Sequence, residues 1–121
     1  MRARNIEGLK LREVYFGDRD ILRLDIDFRI GEARITFSGA AVPVCHGQVG
    51  ASGCEEMVKP VLVLAGLRSV VTSPATARPE TIVLRSEFAP IQGGYSAEFL
   101  VVGDPEPVTM RFECERLCLE T

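Results

Sequence analysis

With 121 residues, 46% of them hydrophobic and 26% charged, the chain has the size and apolar content of one globular domain, which excludes a disordered protein. A net charge of −3, with acid and base interspersed, excludes the clustered basic surface that a phosphate backbone requires. No apolar run is long enough to span a bilayer, and the Arg-containing N-terminus leads into no secretory core, so the expectation is a soluble, cytoplasmic protein with neither nucleic acid nor membrane as partner.

In chain order, the first element predicted is a strand over residues 10–16, ended by the turn cluster Gly17-Asp18-Arg19-Asp20. Pairing Phe16 with Ile21 sets Tyr15 against Leu22 and Leu11 against Ile26, with Arg12 meeting Asp25 and Lys10 meeting Asp27 on the polar side. Glu13 lands on the apolar face, opposite Leu24, and Val14 and Phe16 fall on the other face, which implies some cover there.

Residues 21–38 carry the clearest pattern. Leu22, Leu24, Ile26, Phe28 and Ile30 alternate with Arg23, Asp25, Asp27 and Arg29, the period of a half-buried strand. Gly31-Glu32 suits a two-residue hairpin loop. That loop predicts Ile30 opposite Ala33, Phe28 opposite Ile35 and Ile26 opposite Phe37, each apolar on apolar.

Residues 39–53 read as a strand end passing into a Gly-, Ala- and Ser-rich loop. Ser52-Gly53-Cys54-Glu55 has capping-box spacing, and Pro60 limits any helix there to two turns. Residues 61–71 are β-branched and apolar and read as one buried strand, with a buried helix as the alternative.

The C-terminal half repeats the first plan. Ile82, Leu84 and Phe88 alternate with Thr81, Arg85 and Glu87. A loop over 89–94 predicts Phe88 opposite Tyr95, Leu84 opposite Phe99, Ile82 opposite Val101 and Arg85 opposite Glu98. The turn Gly103-Asp104-Pro105-Glu106 then predicts Val101 opposite Val108, Phe99 opposite Met110, Ala97 opposite Phe112, Tyr95 opposite Cys114 and Glu98 opposite Arg111. Residues 1–121 are thus read as a single all-β domain with at most one short helix. Two three-strand meanders form an antiparallel sandwich or flattened barrel, and the similarity of the halves suggests a remote internal repeat.

Chemistry-bearing residues are sparse. His46 adjoins Cys45, with Cys54 eight residues on, but the spacing matches no zinc motif and adjacent side chains on an extended chain diverge. Cys114 and Cys118 on one strand are too far apart to share a metal or a disulfide without a bend, for which Glu115-Arg116 offers a bulge. All four cysteines read as free thiols. Asp25 and Asp27, beside Lys10, Arg12 and Arg23, read as a solvated ion-pair ladder rather than an acid–base pair. The glycines at 47, 50, 53, 93 and 94 lack the Gly-Lys-Ser/Thr sequence of a phosphate loop. No catalytic, cofactor-binding or metal-ligating residue is assigned, and no cofactor.

The segments Leu-Arg-Glu-Val-Tyr-Phe, Ile-Leu-Arg-Leu-Asp-Ile-Asp-Phe and Arg-Ile-Thr-Phe-Ser-Gly, with Val-Thr-Met-Arg-Phe-Glu-Cys-Glu-Arg-Leu near the end, resemble small immunity-type β proteins of bacterial polymorphic toxin systems. The resemblance spans residues 9–40 and 107–119. Leu11-Arg12 stands where that family carries a His-Asp pair, so no functional residue is carried over. It implies a non-enzymatic protein that binds and blocks a toxin domain. The leading expectation is therefore a non-catalytic binding protein whose partner is another protein or itself, since open sheet edges can pair with a second copy. The alternative is a small-molecule-binding protein or enzyme with a cavity between the meanders, lined by Phe28, Ile35, Phe99, Met110 and Phe112.

Overall fold

Alternating apolar and polar residues become strand through most of the chain. The computed structural model describes residues 5–43 and 54–121. Their elements are β1 (Asn5–Glu7), a 3-10 helix (Gly8–Glu13), β2 (Ile21–Asp27), β3 (Glu32–Phe37), β4 (Gly39–Pro43), β5 (Cys54–Val58), β6 (Val61–Ala65), β7 (Ser69–Ser73), β8 (Arg78–Ile91), β9 (Gly94–Asp104), β10 (Val108–Cys114) and β11 (Arg116–Glu120). All pairings are antiparallel. One sheet has the order β1-β11-β6-β3-β2, a second β7-β10-β9-β8, and β4-β5 form a two-stranded piece. The fold is all-β and sandwich-like, as the alternation predicts.

The core lies between the inner faces of the two larger sheets. Ala33, Ile35 and Phe37 of β3, Leu62 and Leu64 of β6, and Leu117 and Leu119 of β11 are buried from one side. Ala97, Phe99 and Val101 of β9 and Val108, Met110 and Phe112 of β10 are buried from the other. Phe99 is the hub. Its ring centroid lies 5.5 Å from Phe37 and 5.9–6.3 Å from Phe16, Phe88 and Phe112, the last three in edge-on geometry. Aromatic quadrupoles favour such edge-to-face pairs over stacked ones.

The C-terminal meander β8-β9-β10 forms, and every pair predicted between β9 and β10 is present, from Val101 opposite Val108 to Tyr95 opposite Cys114. The charged pair on its outer side closes too, Arg111 Nη1 lying 3.6 Å from Glu98 Oε1. The β8-β9 register differs from the predicted one. Its loop is Gln92-Gly93 alone, so Phe88 faces Ala97 and Pro90 faces Tyr95. Gly93 takes φ +73°, a conformation that favours glycine, and the Arg68 guanidinium donates to the carbonyls of Gln92 (2.8 Å) and Gly93 (2.6 Å). Irregularities at Pro79/Val83 and Val83/Arg85 then turn Val83 inward, while Ile82 and Leu84 face out, the reverse of the predicted set. The cause is tertiary: Asp18 N–H donates to the Val83 carbonyl and Val83 N–H to the Arg19 carbonyl, both at 2.8 Å, pinning Val83 to the 17–20 turn.

In the N-terminal half the third strand beside the β2-β3 hairpin is β6, not residues 10–16. Gly8 (φ +60°) ends β1, and residues 8–13 wind into the 3-10 helix, which buries Leu11, with the extended residue Val14 buried just beyond its end. The predicted pairs Arg12–Asp25 and Lys10–Asp27 therefore do not form. Arg12 instead donates to the Phe88 carbonyl (2.8 Å), joining the helix to β8.

The β2-β3 hairpin keeps its predicted faces and changes its register. Ile26 faces Ala33, Leu24 faces Ile35 and Ile21 faces Phe37, with a bulge between Ile21 and Arg23. The turn spans residues 28–31. Its seed is Asp27, whose Oδ1 accepts the backbone N–H of Arg29 at 2.9 Å, and Gly31 (φ +66°) closes it rather than opening it. Phe28 and Ile30, predicted to face the core, stand in the turn and in solvent.

The middle of the chain also differs. Cys54–Val58 is strand β5 and not a helix. Residues 61–71 are neither one strand nor a helix: β6 and β7 lie in different sheets, divided at Gly66 (φ +65°). Pro60 is followed by a run that one sheet buries only as far as Ala65, where a sheet change takes over.

Candidate protein-binding surface

The sequence-level candidates separate in space. Cys45, His46 and the glycines at 47, 50 and 53 lie outside the described residues. Among the described residues no group of three His, Cys, Asp or Glu is placed to hold a metal ion. Cys114 and Cys118 flank the sheet change at Glu115, whose N–H donates to the carbonyls of Ala65 and Gly66, and both are free thiols. Cys114 points into the core from β10; Cys118 lies half-buried on β11.

Burial pushes the Cys114 thiol from 9.0 up to about 11, against a small opposing pull from Arg68. A thiol held protonated at neutral pH is no nucleophile. Because the folded-state value exceeds that of the unfolded chain, Cys114 leaves stability intact below pH 9.0 and removes it as pH rises through about 11. The slope approaches roughly 1.4 kcal/mol per pH unit in that window. Urea midpoints at pH 8 and pH 10 are expected to fall further apart for the wild type than for Cys114→Ala. Burial raises Cys118 as well, and Glu120 and Glu7 add to it.

The Asp25–Asp27 ladder forms with the predicted Arg23, and with Arg29 in place of Lys10 and Arg12. Arg23 Nε reaches Asp25 Oδ2 at 2.6 Å along the same strand, and Arg29 Nη2 reaches Asp27 Oδ2 at 3.2 Å across the turn. The hydrogen bonds from Arg29 hold the Asp27 carboxyl below its usual value. Salt-bridged carboxylates in solvent are poor proton donors at neutral pH, and the ladder is a charged strand face.

The residues predicted to line a cavity between the meanders do not share one environment. Ile35, Phe99 and Phe112 are fully buried, Met110 nearly so, and Phe28 lies on the surface. A cleft of about 630 Å³ lies elsewhere, between the 3-10 helix and β11, where Lys10 and Arg116 alternate with Glu7 and Glu120 around Tyr95 and Cys118.

The most distinctive surface is β2 itself. It ends the five-stranded sheet, and among the described residues no strand pairs with its outer edge beyond the bridge of Asp20 to Ile82 of β8 at its start. Leu22, Leu24, Ile26, Phe28 and Ile30 run along the strand and its turn, 37% to 68% exposed. The other outer edges of the two larger sheets are blunted. β1 has three residues, β8 carries Pro79, Pro90 and two irregularities, and β7 ends against Pro74. β2 has seven residues and no proline. The signal for this site was present in the alternation, which was read as a core face. An edge strand whose inner side the second sheet leaves partly uncovered has the same alternation. Tertiary contacts hold the approach to this edge firmly: Arg19 pairs with Glu56 of β5 through Nη2 to Oε1 (2.5 Å) and Nε to Oε2 (3.2 Å), and Thr81 Oγ1 donates to Asp20 Oδ1 (2.8 Å). Comparison with protein-family models, curated proteins and solved structures finds no match for the chain.

Proposed function

We propose that this chain is a non-catalytic protein-binding domain whose contact surface is the β2 edge with the 28–31 turn. The observation that carries the reading is the continuous exposed row Leu22, Leu24, Ile26, Phe28 and Ile30 on the strand that ends its sheet among the described residues. Isolated apolar residues on a surface need no explanation, whereas a contiguous row on an unprotected edge is a pairing template. Backbone hydrogen bonds from the edge would supply affinity and the alternate side chains specificity, the mode in which a partner adds a strand. An immunity-type inhibitor is one form of this activity, and the net charge of −3 suits a basic toxin domain as its target.

The immobilised chain is expected to retain a protein partner in stoichiometric amount from its own host cells, and the contact to be rebuilt from purified components. Phe28→Asp combined with Ile30→Asp alters only exposed turn side chains and is expected to abolish retention with an unchanged circular dichroism spectrum. Retention that survives both substitutions would remove the β2 surface from the proposal.

A further inference from the structure

The geometry points to a second copy of this chain as the partner of the β2 edge: two β2 strands pair antiparallel about a two-fold axis through Leu24, joining two five-stranded sheets into one. This inference rests on the protein-binding reading above and specifies the partner of that surface.

The argument is one of register. Directly opposed residues in an antiparallel pair share a face, so the charged and apolar sets of β2 stay separate only when odd positions meet odd and even meet even. With Leu24 on the axis, Leu24 meets its own image, and Leu22, in the bulge between Ile21 and Arg23, lies toward Ile26 of the other copy. On the opposite face Arg23 of each copy meets Asp25 of the other, so two ion pairs form at once. Moving the axis to Arg23 opposes two guanidinium groups, and moving it to Asp25 opposes two carboxylates even though Arg23 then meets Asp27 of the other copy. With the axis at Ile26, Asp25 faces Asp27, and at Leu22 the second strand would lie against Asp20, which Ile82 of β8 already bridges. Opposite charges across a ladder stabilise a pair and like charges destabilise it, so the strand's own sequence selects one register.

The same charges are already placed by the fold. Arg23 and Asp25 are both exposed and joined along the strand at 2.6 Å, and within the sheet Asp25 faces Arg34 while Arg23 faces Thr36. Pairing extends this into a row that crosses the axis as Arg34, Asp25, then Arg23 and Thr36 of the second copy. On the other face the exposed Leu22, Leu24 and Ile26 of the two copies cover each other. The contact is isologous, so it closes at two copies and builds no filament.

Sedimentation of the purified full-length chain tests this. The wild type is expected to be a dimer at about 100 µM, where a micromolar dissociation constant leaves most chains paired. Arg23→Asp and Asp25→Arg are each expected to weaken the dimer at least about tenfold, because each sets like charges opposite one another twice. The two variants mixed in equal amounts are expected to form a heterodimer, since every opposed pair then has opposite signs. Both substitutions in one chain are expected to restore the homodimer. Circular dichroism of each variant separates lost pairing from lost folding. A wild type that stays monomeric overturns the inference. So does a dimer indifferent to both charge reversals, or folded variants that fail to associate when mixed. A monomer that still captures another protein through Phe28 and Ile30 overturns self-pairing and leaves the protein-binding reading standing; a monomer with no such capture overturns both.

Discussion

Phe99→Ala is expected to destabilise the domain by about 3–5 kcal/mol, the range for removing a buried phenylalanine ring. The upper end applies because the ring cannot be replaced by collapse of its neighbours. Phe16, Phe37, Phe88 and Phe112 surround it at 5.5–6.3 Å, and they come from the approach to the 17–20 turn, β3, β8 and β10. Each is tied to its own strand or turn, so the cavity stays open. Against a total stability of roughly 5–15 kcal/mol for a domain of this class, the loss removes a third or more of the margin. Urea unfolding followed by tyrosine fluorescence or circular dichroism is the measurement. A loss under about 1.5 kcal/mol, the figure for a core swap that repacks freely, would show that Phe99 is not the hub.

Gly94→Ala is expected to cost roughly 3 kcal/mol, more than Gly93→Ala beside it, because the two fail for different reasons. At Gly94 an added Cβ would run into the carbonyl oxygen of Cys114, with that residue's carbonyl carbon at 3.0 Å. The obstacle is backbone of the facing strand, adjacent to the Tyr95–Cys114 pair, and it can yield only if β9 and β10 separate. At Gly93 the cost is the left-handed backbone, φ +73°, of order 1–2 kcal/mol for an L-residue. The nearest obstacle there is a flexible one, Arg68 Nη2 at 3.0 Å. Thermal midpoints of the two variants measured side by side give the order. Equal losses would mean that β10 shifts away from Gly94 at little cost.

The β9-β10 ladder was legible residue by residue because every signal there agrees. A compact turn lies between strands whose inward positions are all apolar, Tyr95, Ala97, Phe99 and Val101 against Cys114, Phe112, Met110 and Val108. The β2-β3 hairpin was legible in its faces but not in its register. Shifting the partner by four residues leaves every side chain on its original side, so alternation cannot distinguish the two arrangements. The deciding contact is the Asp27 carboxylate on the Arg29 N–H, a local bond that competes with continuing the strand. Residues 10–16 carry two competing signals, an alternation that Glu13 breaks and a tight turn that Gly8 starts, and the 3-10 helix Gly8–Glu13 takes the second. The candidate surface was hidden for the same reason as the hairpin register: an apolar stripe has one appearance in sequence whether the second sheet covers it or not.

Composition and alternation alone determined that the chain folds as antiparallel strands around an apolar interior, because period-2 patterning is a property of neighbouring residues. They determined the faces of β3, β9 and β10 and the β9-β10 pairing for the same reason. Only the tertiary structure decided that β6 lies beside β3, that Val83 turns inward in place of Ile82 and Leu84, and that β2 stands at an edge with Phe28 and Ile30 in water. Each of these depends on which distant segment fills a space, through bonds such as those of Asp18 and Arg19 with Val83, and no local pattern encodes the identity of that segment.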